Sequence, residues 1–150
     1  MKRITLFLLL AVVLSGYAAA QSNDFMDALL AEESISFSQA AYLVLVASDN
    51  LGEDADEVRA FELLESLGWA QKSASPDSDI TLAQYSALIM RAFDMRGSLM
   101  YRLIPAPRYA YRQLTHNRII NWKADPSNPV NGLAAFGMVG RTLDLVGANQ

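Results

Sequence analysis

Guanidinium groups interleave with phenol rings in RGSLMYRLIPAPRYAYRQLTHNR, residues 96–118. Arg96, Arg102, Arg108, Arg112 and Arg118 alternate there with Tyr101, Tyr109 and Tyr111, and Trp122 follows. A guanidinium fork donates to two oxygens of one carboxylate or phosphate, and planar cations beside aromatic faces suit anionic sugars. The candidate ligand-binding residues are therefore Arg96, Arg102, Arg108, Tyr109, Tyr111, Arg112, Arg118 and Trp122. From Met95 to Ala124 the chain carries no Asp or Glu. An internal placement is the alternative, with the tyrosines packed inside and the arginines turned toward an acidic half of the same domain. Pro105 and Pro107 stiffen LIPAP and hold Ile104 and Ala106 extended, which also suits a docking edge for a partner protein.

Other reactive side chains form no recognisable machinery. His116 is the single histidine and has no acid beside it, and no Gly-x-Ser-x-Gly nucleophile motif occurs. Its place after Leu114 suits a solvated or helix-capping role. Glu62/Glu65 and Asp77/Asp79 read as a solvated helix face and a loop rather than paired catalytic acids. DNLGEDADE, residues 49–57, has the acid density of a calcium loop without its alternating order. There is no cysteine, so disulfides and thiol chemistry are excluded. No catalytic residue, metal site or cofactor is expected, and the chain reads as non-enzymatic.

The 150 residues carry a net charge of −4, unevenly spread. Residues 21–66 hold eleven acids against Arg59 alone, whereas residues 67–150 hold nine Lys/Arg against five Asp. This overall acidity argues against a nucleic-acid partner. Residues 1–20 read as an export signal: Lys2 and Arg3, the apolar run ITLFLLLAVVL, then Ala18 and Ala20 in a small-x-small cleavage pattern. Cleavage would leave a chain from Gln21, the alternative being a retained anchor. The apolar run is too short for a spanning helix. The expected location is the periplasm or cell envelope.

The elements that must position these groups repeat. ISFSQAAYLVLVASDNLG (35–52) and ITLAQYSALIMRAFDMRG (80–97) share Ile35/Ile80, Gln39/Gln84, Leu43/Leu88, Ala47/Ala92, Asp49/Asp94 and Gly52/Gly97. Ser36 and Thr81 suit helix N-caps, and Gln39 and Gln84 complete capping boxes. The apolar stripe behind each cap recurs at helical spacing, and Gly52 and Gly97 are expected to supply the stop. Residues 60–94 lie over 110–144 without a gap, matching at Ala60/Ala110, Leu64/Leu114, Pro76/Pro126, Arg91/Arg141 and Asp94/Asp144. There Asn131 takes the cap position, and Gly137 and Gly140 suggest close approach of another helix. Asp49, Asp94 and Asp144 recur late in the three long helices. Arg91 and Arg141, one turn earlier, could pair with two of them, but the first unit has Val46 there, so a hydrogen bond to the following loop is the expected common reason. The expectation is an all-α domain over 21–150, built as three helix–loop–helix units at about 22–52, 57–97 and 107–146 and stacked to bury stripes that no single unit can cover.

The segment AFELLESLGWAQKSASPDSDITLAQYSALIMRAFD resembles the S-layer homology (SLH) repeat. Leu67-Gly68, Pro76-Asp77 and Ile80-Thr81-Leu82-Ala83-Gln84 carry the resemblance. It implies an all-helical three-repeat domain held noncovalently on cell-wall polysaccharide. One departure matters: the arginine with which that family grips its ligand falls on Phe37, Leu82 and Gly132 in the three units. The expected partner is a wall glycan or another anionic envelope polymer, gripped by other residues; the alternative is an envelope protein docked on the helical repeats.

Overall fold

Each long helix begins where a short polar side chain replaces a missing backbone partner. The Ser36 hydroxyl accepts from Gln39 N–H at 3.2 Å, and Gln39 Oε1 accepts in return from Ser36 N–H at 2.9 Å. Thr81 and Gln84 repeat the exchange at 3.3 and 2.8 Å. Asn131 Oδ1 accepts from Ala134 N–H at 2.7 Å, and alanine has no group to return, so this box is half made. Asp56 caps a shorter helix by accepting from Arg59 N–H. These starts open α2 (Phe37–Ala47), α4 (Leu82–Ala92), α7 (Gly132–Gly147) and α3 (Glu57–Ser66). Helical residues 25–31 (α1) precede them, and α5 (Leu99–Leu103) and α6 (Pro107–His116) lie between α4 and α7.

The structure, a computed structural model, describes residues 25–71 and 73–148; the expected export signal 1–20 lies outside them. The described chain is all-α, and its only extended pairing consists of isolated bridges at Ser36–Asp79 and Thr81–Pro129. No helix among the described residues is long and apolar enough to cross a membrane.

Three residues that precede caps form the centre. Ile35 N–H donates to Val130 O at 2.8 Å, Val130 N–H to Ile80 O at 3.1 Å, and Ile80 N–H to Ile35 O at 3.1 Å. The triangle is closed and buried, and each residue pairs its backbone donor and acceptor with the other two, as burial demands. From this ring α2, α4 and α7 run outward and pack on one another. The short helices lie outside them: α3 on α2 and α6 on α4. Residues 25–31 meet the start of α7, where Gly132 N–H donates to Glu32 O at 3.0 Å. Each short helix therefore packs on the long helix before its own, and α1 closes the circle on α7.

The helix ends differ from expectation. Gly52 and Gly97 are not the stops. Asp49 (φ 57°) and Asp94 (φ 45°) take the left-handed turn directly after the C-caps Ser48 and Phe93. Aspartate tolerates that region through its short polar side chain, which is why it recurs there. Asp144 differs because α7 continues through it to Gly147. Nor do Arg91 and Arg141 pair with these acids. Arg91 donates to Trp69 O at 3.0 Å and Arg141 to Ile119 O at 2.6 Å, tying each long helix to the loop before it.

Close helix approach also falls elsewhere than Gly137 and Gly140. A Cβ at Gly140 would meet open space and one at Gly137 the flexible end of Arg141, whereas one at Gly132 would strike the backbone carbonyl of Leu29. Phe37 and Leu82 are buried. Phe37, Leu82 and Gly132 thus all serve the interior of this domain.

Candidate anion-binding site

Pro107 starts α6 with its fixed φ and no side-chain cap. From there Arg108, Arg112 and His116 follow at four-residue spacing, and all three are exposed. That spacing stacks them on one helix face. Neighbouring like charges destabilise a helix by a few tenths of a kcal/mol, and Arg108 in the first turn also opposes the helix dipole.

The chain before α5 folds back onto this face. Ser98 N–H donates to Gln113 Oε1 at 2.9 Å, and Tyr101 is buried beneath. Gly97 lies against the Tyr101 ring, where a side chain would collide. Burial raises the Tyr101 pKa, and the nearby positive charge of Arg91 partly counters it. Arg96 is thereby brought to Arg112 and His116 around an open cleft of about 430 Å³, with Ser98 and Gln113 on its wall. Arg108 faces a second cleft, with Gln71, Thr81, Gln84 and Ser127. Gln84 Nε2 donates to Gln71 Oε1 at 2.9 Å there, so a capping residue also shapes that wall. Guanidinium and amide N–H groups, a serine hydroxyl and an imidazole converge on the first cleft, a donor set for carboxylate or phosphate oxygens.

The remaining candidates sit apart. Arg102 is exposed on α5 among aliphatic side chains. Arg118 is exposed in the left-handed turn after α6, with φ 60°. Tyr109, Tyr111 and Trp122 are half-buried against the core. The Tyr111 hydroxyl donates to Ala124 O at 2.8 Å, and the Trp122 ring carries the Arg141 guanidinium 5.6 Å from its centroid. Tyr109 packs on the core, Tyr111 and Trp122 brace neighbouring chain, and none of the three rings lines the arginine cleft.

Among the described residues the ion pair within 4 Å is Arg59–Glu62, both exposed. Arg96, Arg102, Arg108, Arg112 and Arg118 make none, so the basic segment is not held on the acidic half by salt bridges there. No group of three or more His, Asp or Glu among the described residues could hold a metal ion; within the acid-rich 49–57 stretch, Asp56 serves as a helix cap. Sequence reasoning set His116 aside, although its spacing from Arg108 and Arg112 was visible. Ser98 and Gln113 gave no sequence signal, because their role depends on the fold-back. No family model, curated protein or solved structure matches the chain.

Proposed function

We propose that the protein is a non-enzymatic, exported domain of three SLH-like helical units, which binds an anionic polymer of the cell envelope through Arg96, Arg108 and Arg112. The observation that carries the reading is the pairing of Arg96 with Arg112 in one cleft, both exposed, beside His116, and neither in an ion pair among the described residues. A domain of negative net charge that gathers unpaired cations on one helix face bears an electrostatic cost, which a bound anion offsets. The three-unit arrangement draws support from the closed hydrogen-bond triangle of Ile35, Ile80 and Val130 and from caps at the same step after each. Export draws support from the basic start, apolar run and Ala18-x-Ala20 pattern. Because the SLH arginine positions are taken by Phe37, Leu82 and Gly132, the grip moves to α6 and the turn before α5.

Retention on purified wall sacculi tests this. The triple variant Arg96→Gln/Arg108→Gln/Arg112→Gln should lose tenfold or more in affinity, roughly 1.4 kcal/mol. Wild-type retention should weaken with added salt, since exposed charges are screened within about 8 Å at physiological ionic strength. The triple variant should melt as the wild type does, because its arginines hold no ion pair. Equal retention of a folded triple variant, or no retention of the wild type, rejects the reading and leaves the protein-docking alternative.

A further inference from the structure

We propose that the protein associates head to tail, the aliphatic face of α5 on one copy docking in the groove between α2 and α7 of the next. Two unsatisfied surfaces carry this, and they match in shape class and in charge.

The first is a knob. Leu99, Met100, Leu103 and Ile104 are 69, 49, 68 and 52% exposed on and just after α5. The knob is not a loose loop tip, because Tyr101 is buried under it and Ser98 is bonded to Gln113 of α6. Arg96, Arg102 and Arg108 flank it, in a segment without an acid.

The second is a groove of about 260 Å³ lined by Met26, Tyr42, Leu43, Val46, Val139 and Leu143, with Glu53 at its edge. An apolar cavity of ~150 Å³ already admits a benzene ring, so this one has room for an aliphatic side chain or two. Phe136 and Leu143 on α7 remain 42 and 46% exposed beside it. The groove is open for a reason visible in the chain. Before α4 the connection 67–81 lays Trp69 along the helix, fastened by Arg91. Before α7 the connection 117–131 buries Ile119 and Ile120, fastened by Arg141. Before α2 the connection is residues 32–36 alone, and Val46 stands one turn before Asp49, as Arg91 stands before Asp94. Val46, which is half-buried, lines the groove where the other two long helices carry an arginine fastened to a loop. Asp49, Glu53 and Asp54 follow α2, in a stretch whose one base is Arg59.

An acidic-edged apolar groove and a base-flanked apolar knob are complementary, and electrostatic complementarity fixes partner and register. The knob packs on α6 while the groove is lined by Met26, Glu53 and residues of α2 and α7, so among the described residues a copy's knob does not reach its own groove. The contact is heterologous and grows into a chain or a closed ring. An anionic lipid surface would also accept the knob, yet it leaves the groove, with its acidic edge, without a purpose; self-association uses both.

Sedimentation velocity over a concentration series, up to about 1 mM because small contacts are weak, reads the outcome. The wild type should show mass rising with concentration. Leu103→Asp on the knob and Leu143→Asp on the groove, both at exposed positions, should each stay monomeric. Mixed together, these two variants should form pairs and nothing larger, since each keeps one working surface. Glu53→Arg should weaken association tenfold or more, and adding Arg102→Glu in the same chain should restore part of it. A monomeric wild type, association that survives either Asp variant, or failure of the mixed variants to pair overturns the proposal. A monomer that binds phosphatidylglycerol-containing vesicles through Leu103 overturns it too and assigns α5 to lipid. Arg96, Arg108 and Arg112 are intact in every variant, so sacculus retention is read separately and the two proposals can fail independently.

Discussion

Tyr85 is fully buried on α4, and its hydroxyl donates to Ala135 O on α7 at 3.1 Å. Burial penalises the phenolate and drives the pKa far above that of an exposed tyrosine. The sign for stability follows. In the unfolded chain the phenol ionises near its ordinary value of about 10, while the folded chain keeps the proton, so folding is favoured fully below that pH and progressively less above it. Tyr85→Phe should cost about 0.5–1.5 kcal/mol at neutral pH through the lost hydrogen bond. It should also flatten the decline of the urea midpoint between neutral pH and pH values above about 10. The slope should shrink without vanishing, because burial raises Tyr42 and Tyr101 as well. An unchanged slope would mean Tyr85 is reached by water. Residue-level causes of this kind were partly legible in the sequence. Asp49 and Asp94 stood out as recurring, but the left-handed turn that explains them is a backbone property that sequence spacing does not print. Arg118 takes the same turn where the parallel stretch has Gly68, with φ 60° against 67°, and its identity gave no hint of that conformation.

At the scale of the element, helix starts were legible and helix partners were not. A capping box is a local device, complete within four residues, so Ser36-x-x-Gln39 and Thr81-x-x-Gln84 announce it without tertiary help. Which long helix a short helix packs on depends on contacts across the ring, and no stripe of leucines encodes that. The same division holds in the candidate site. The Arg108–Arg112–His116 face follows from four-residue spacing, whereas the arrival of Arg96 depends on the Ser98–Gln113 bond. The alternation of arginine and tyrosine suggested one mixed surface, and helical geometry separates them: α6 turns its arginines to solvent and packs Tyr109 and Tyr111 on the core. Thr81→Ala should destabilise the domain by about 1 kcal/mol, the usual cost of a lost N-cap. Thr81→Ser should restore most of it, since only the hydroxyl that accepts from Gln84 N–H is at issue. A urea midpoint equal to wild type for the alanine variant would mean that the first turn of α4 is held by its neighbours, Asn128 O and Pro126 O, which accept from Leu82 and Ala83 N–H.

The molecule as a whole is a closed circuit, and that is what couples its parts. Ile35, Ile80 and Val130 each donate to one member of the triangle and accept from the other, so no long helix leaves without breaking two of the three bonds. The circuit closes outside the ring as well, where residues 25–31 sit on the start of α7 and Leu29 is buried. Gly132 is the joint. Its N–H bonds to Glu32 O, and the space a Cβ would need is already taken by the Leu29 backbone carbonyl. A flexible side-chain tip could yield there, but a helix backbone cannot without moving the helix. Gly132→Ala should therefore destabilise the domain by about 1–3 kcal/mol, as overpacking does, despite alanine's better helix propensity. Because the circuit is shared, the loss should not be confined to α7. Native-state hydrogen exchange should find the amides of Ile35, Ile80 and Val130 equally protected in the wild type, opening only with global unfolding. In Gly132→Ala all three should exchange faster by the same factor, between about fivefold and 150-fold for that range of destabilisation. If Val130 alone loses protection, the ring is a set of separate contacts and the three long helices unfold piecemeal.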